Sequence, residues 1–103
     1  MASRADVARN IDHTLHMLEA DVRDLHSVID EWESETIANR IGWDLEWAAS
    51  TDTLDALCEL ERAGRLSQRQ TERLDALIQI VSRLAPSLRQ MHLSIPVCAG
   101  TVD

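Results

Sequence analysis

The chain has 103 residues, enough surface to build one hydrophobic core and too little for two. Its apolar share of 45% includes no Phe and no Tyr, so an interior of Leu, Ile, Val and Ala is expected, a composition that suits helices and starves an aromatic-rich β-sandwich. A net charge of −8 without a single Lys argues against direct nucleic-acid binding, and the lack of an apolar run of ~18 residues argues against a membrane span.

Arg4, Asp6 and Arg9 stand where a secretory leader would need apolar residues, so a cytoplasmic protein is expected. From Ile11 the apolar positions run Ile11, Leu15, Leu18, Val22, Leu25, Ile29 and Trp32, a four-three alternation sustained for three heptads. This spacing predicts one long amphipathic helix, from about Ser3 or Asp6 to about Glu33, spanning roughly 40 Å. Its stripe is long for a domain of this size. A second copy, packed antiparallel, is the expected cover, and Ile11, Leu15, Leu18, Val22, Leu25 and Ile29 are the expected self-association residues.

The stretch from about Glu35 to Ala49 carries two apolar faces, Ile37, Ile41, Leu45 and Ala48 on one and Trp43 and Trp47 on the other. Ser50, Thr51 and Asp52 then suggest a break, with Asp52 capping a third helix that carries Leu54, Leu57, Cys58 and Leu60 and stops at Gly64. Ser67 and Gln70 match a capping box for a fourth helix with Leu74, Leu77, Ile78, Val81, Leu84 and Ala85 on its apolar face. Pro86 should end or kink it. Residues 93–103 read as an extended tail that either docks on a groove or is disordered, leaving a bundle domain of residues 1–92. The fold expected is thus all-α, a small bundle of three to four helices with a long first helix.

Charge is unevenly spread, with fifteen acids against four arginines in residues 1–61 and six arginines against three acids in residues 62–103. Complementary fields should therefore draw the C-terminal helix onto the acidic ones, within the chain or between chains.

No nucleophile elbow, glycine-rich phosphate loop or cysteine–histidine pairing is present. Asp12, His16, Glu19, His26, Asp30 and Glu33 line the first helix, but the single close match to a di-metal motif, His16-x-x-Glu19, is reversed. Asp30-x-x-Glu33 with Asp52-x-x-Asp55 partly resembles the paired acidic motifs of all-α nucleoside triphosphate pyrophosphohydrolases of the MazG type. That resemblance implies magnesium-dependent hydrolysis, yet three of the four acids are Asp where the family prefers Glu, and no Lys is available to steady phosphates. Cys58 and Cys98 stand too far apart in sequence for a metal pair or a disulfide scaffold, and Cys58 reads as a buried small hydrophobe.

The reading is a non-enzymatic module that binds another protein as adaptor, regulator or inhibitor, self-associates, and needs no metal or cofactor. Trp43 and Trp47 are its expected partner-binding residues, because an indole buries a large area at small entropic cost. An acidic decoy occupying the nucleic-acid-binding surface of a partner is the alternative from another class, and the pyrophosphohydrolase a third.

Overall fold

The four-three spacing produces a single helix, α1, over Arg4–Glu31 in a computed structural model that describes residues 4–100, with side chains from 7 to 99. The alternative start at Ser3 and the last three residues of the expected tail lie outside the described residues. A 3-10 turn, Trp32–Ser34, ends α1, where the Ser34 hydroxyl donates to the Glu31 carbonyl at 2.8 Å. Three further helices follow: α2 over Ile37–Arg62, α3 over Gln68–Gln90 and a single turn, α4, over Val97–Gly100. The molecule is an all-α bundle, elongated to 45 × 31 × 17 Å along its helices.

The stripe of α1 is covered within the chain. Ile11, Leu15, Leu18, Val22 and Leu25 are buried, Ile29 is half-buried against the same cluster, and the cover comes chiefly from α3 and secondarily from α2. This corrects the expectation that the stripe is a self-association surface, because the face that would meet a second copy is already the core. Two shorter helices suffice for one long one since α3 supplies Leu74, Leu77, Val81, Ala85 and Leu88 along most of the length of α1.

Residues 37–62 form one helix rather than two. The Ser50–Thr53 cluster does not break it because each hydroxyl bonds back onto the preceding turn: Ser50 to Glu46 O at 3.3 Å, Thr51 to Ala48 O at 2.8 Å and Thr53 to Ala49 O at 3.0 Å. Asp52 is therefore an exposed mid-helix residue, and the N-cap of α2 is Thr36, whose side chain accepts from the Asn39 amide at 3.2 Å. Ser50 also donates to Asp21 at 3.0 Å, tying α2 to α1. The helix stops where expected, at Gly64 with φ +69°, and the Arg65 amide closes onto the Leu60 carbonyl at 2.9 Å.

The capping box opening α3 is present in full: the Gln70 amide reaches Ser67 Oγ at 3.1 Å and the Ser67 amide reaches Gln70 Oε1 at 2.9 Å. Gln70 is buried and its amide nitrogen also donates to Ala8 O and Asp12 Oδ1, at 3.2 and 3.1 Å, so one side chain caps α3 and clamps α1. Pro86 is accommodated inside α3 on an exposed position and does not end it. Beyond α3 the expected tail is part of the bundle, since Leu93, Pro96 and Ala99 are buried and the turn of α4 follows Pro96. A domain boundary at residue 92 is thereby corrected: Leu93 and Ala99 belong to the same core cluster as α1–α3.

Candidate functional site

Because α2 is continuous, its two halves share one face. Stepping back from Leu54 and Cys58 by helical repeats leads to Trp47 and then Trp43, so the tryptophans point inward. Trp47 is 1% exposed and Trp43 half-buried, which corrects the placement of these two residues on a partner-binding surface. The physical reason is twofold. Indoles withdraw more apolar area from water than the aliphatics opposite, and the buried face of residues 54–58 dictates the face of residues 43–47.

The opposite face therefore lies in water. Ile37, Ile41 and Leu45 are 77%, 56% and 69% exposed, three large aliphatic side chains in a row at four-residue spacing on a rigid helix. Gly42 lies beside them, and a β-carbon built there would find no heavy atom within 4 Å. A glycine in a helix interior costs roughly 1 kcal/mol relative to alanine. Among the described residues, nothing packed against Gly42 accounts for it. Asp44, Glu46 and Asp52, all exposed, surround the row with negative charge.

One edge of this face is a groove of about 190 Å³, where Ile37 and Ile41 meet Trp32, Met91 and Leu93. Arg40 also lines it. Its guanidinium donates to the Trp32 carbonyl at 2.6 and 3.0 Å and lies 5.3 Å from the Trp32 ring centroid, which fixes the corner between α1 and α2. The apolar row is thus held on a braced element.

Two acids of the α1 row, Asp12 and Glu19, go to structure. Glu19 receives a two-pronged bond from Arg73 of α3 at 2.6 and 3.2 Å, with Asp12 at 3.7 Å from the same guanidinium. That bond holds the Glu19 carboxyl below its ordinary range against an opposing effect of burial, and it realises the complementarity of acidic α1 with arginine-bearing α3. Among the described residues no three His, Cys, Asp or Glu side chains converge on a point that would hold a metal ion. Of the paired acids, Asp52 is exposed and Asp55 accepts from Cys98. Also among the described residues, no helix is long and apolar enough to cross a membrane.

Sequence reasoning set Ile37, Ile41 and Leu45 on the face opposite Trp43 and Trp47 and took the tryptophans as the contact residues. The signal that would have reversed the assignment is the register linking them to Leu54 and Cys58 through an unbroken helix. No protein-family profile, curated protein or solved structure matches the chain.

Proposed function

We propose that the chain is a non-enzymatic binding module whose contact surface is the Ile37–Leu45 face of α2. The observation that carries this reading is the row of three aliphatic side chains, each more than half exposed, at four-residue intervals on a helix braced at its start. A contiguous apolar row rimmed by polar residues is the usual mark of a protein contact, and i, i+4, i+8 anchors suit a partner's apolar groove or helix.

The occupant is a different protein that offers an apolar surface rimmed by Arg or Lys. Charge complementarity supports this choice: Asp44, Glu46 and Asp52 frame the row, and a chain of net charge −8 repels its own copy at long range. Gly42 permits the partner's backbone to approach α2 closely.

The test is affinity capture from the native host with the unmodified chain, with Ile41→Ser/Leu45→Ser, and with Asp44→Asn/Glu46→Gln. The expected result is one basic-rimmed protein whose retention is lost in the first variant and whose association slows in the second, at unchanged circular dichroism. Its dissociation rate should change little between low and high salt, whereas an acidic decoy on a nucleic-acid-binding surface would be released steeply. Retention unaffected by the first variant overturns the proposal. So does a homodimer in sedimentation that the same variant disperses, since it hands the face to a second copy.

A further inference from the structure

Cys58 and Cys98 are forty residues apart in sequence, and the fold brings them together. Cys58 lies on the buried face of α2, one turn after Asp55, and the turn of α4 carries Cys98 back onto that same aspartate. Both open into one surface cleft of about 270 Å³, together with Asp55 and Arg62. Asp55 Oδ1 orients Cys98 twice, accepting from its amide at 3.3 Å and from its thiol at 3.4 Å. The pair is free in this structure.

We infer that Cys58 and Cys98 are an oxidation site, at which hydrogen peroxide entering the cleft closes an intramolecular disulfide that fastens the C-terminal segment to α2. The arrangement contains the parts the reaction needs. Asp55 holds the Cys98 thiol beside Cys58, and the nucleophile is the minor thiolate form of Cys58, which burial, Glu61 and Asp55 disfavour and Arg62 favours. Its sulfur attacks one peroxide oxygen; the S–O bond forms as the O–O bond breaks, and the hydroxide released takes up the proton that Cys58 lost. Cys98 then passes its proton toward Asp55 and attacks the sulfenic sulfur of Cys58. The S–S bond forms, the S–O bond breaks, and the departing hydroxide leaves as a second water with that proton. Two thiols are oxidised by two electrons in total, and one peroxide is reduced to two waters.

The surroundings also set the tempo. Burial, followed by the bonds and charges of Cys58 and Asp55, pushes the Cys98 thiol well up, and burial likewise raises Cys58. Thiols with little thiolate at neutral pH react slowly, and they are poor leaving groups once joined, so the disulfide forms slowly and resists reduction. The device is a staple rather than a rapid sensor. What it secures is the cover of Trp47, because the segment from Leu93 to Ala99 is held by buried Leu93, Pro96 and Ala99 and by the Ser94 carbonyl on the indole.

The full chain treated with hydrogen peroxide under native conditions, then alkylated in denaturant and weighed intact, is the decisive measurement. It should lose the mass of two hydrogen atoms, take up no alkylating agent, and give one cross-linked peptide containing Cys58 and Cys98. Its Tm should rise by about 10 °C and fall back on reduction. Cys58→Ser and Cys98→Ser should each abolish the rise. Sulfinic acid at one cysteine beside a free thiol at the other, disulfides between chains, or an intramolecular bond that forms only after unfolding would each overturn the inference.

Discussion

The indole N–H of Trp47, in the middle of α2, donates to the main-chain carbonyl of Ser94 at 2.7 Å, a bond that spans 47 positions and joins the second helix to the end of the chain. A buried indole needs such a partner, and a carbonyl in an extended segment needs such a donor. Trp47→Phe keeps most of the apolar area and orphans the carbonyl, so a loss of about 1–2 kcal/mol is expected. Trp47→Ala also leaves a cavity and should cost roughly 3–5 kcal/mol. Denaturant midpoints measure both, and equal effects of the two substitutions would show that the bond contributes nothing.

Gly42 separates folding from binding. With open space around its missing β-carbon, Gly42→Ala should stabilise the free chain by roughly 0.5–1 kcal/mol through helix propensity alone. The same methyl group, placed between Ile41 and Leu45 on the exposed face, should weaken capture of the partner. Thermal unfolding and an association measurement on one sample read the two effects, and a substitution that weakens the fold would mean the position is packed.

Much of this fold is legible in the residues. The stripe from Ile11 to Leu25, the stop at Gly64 and the Ser67–Gln70 box are local patterns, each set by a few positions of one helix. Leu18→Ala and Leu25→Ala should accordingly each cost roughly 2–5 kcal/mol, read from denaturant midpoints. The candidate site was named and turned the wrong way round. Ser50, Thr51 and Asp52 have the chemistry of a helix break, and the hydroxyl bonds back onto the preceding turn, with the tertiary bond from Ser50 to Asp21 and the burial of Thr51, show why the helix runs through. Once that break is assumed, nothing ties the faces of residues 37–48 to Leu54. The meeting of Cys58 with Cys98 was equally out of reach, because it depends on a reversal of the chain after α3.

Two carboxylates report opposite sides of the pH dependence. Glu19 is lowered from its ordinary value of 4.5, first by the Arg73 bond, so its contribution is present above that value and fades as pH falls through the lower folded one. Glu61 is raised from the same ordinary value by burial and by the neighbouring carboxyl of Asp75, with which it shares a hydrogen bond. Its contribution is present in acid and lost as pH rises through the higher folded value. Glu19→Gln should therefore destabilise at pH 7 by about 1 kcal/mol and matter little at pH 3, since the pair is partly solvated. Glu61→Gln should stabilise at pH 7 and lose that advantage in acid. Midpoints at pH 3, 5 and 7 decide the matter, and parallel pH profiles for the two variants would refute both assignments.

The reversal after α3 rests on His92, which takes φ +57° directly after the helix cap at Met91. In that left-handed conformation its own amide meets the Arg89 carbonyl at 3.1 Å and the next amide, of Leu93, reaches back to the Leu88 carbonyl at 2.9 Å. This is the helix ending usually built with glycine, and it aims Leu93 into the core and starts the segment that covers Trp47 and delivers Cys98. A side chain at positive φ costs roughly 1–2 kcal/mol, partly offset on mutation to glycine by the freedom glycine gains when unfolded. His92→Gly should therefore raise stability by about 0.5–1 kcal/mol, a few degrees in Tm. His92→Ala keeps the β-carbon and should give no gain. If the glycine variant is no more stable than the alanine one, the helix does not end in this conformation and the route by which the chain returns to α2 must be different.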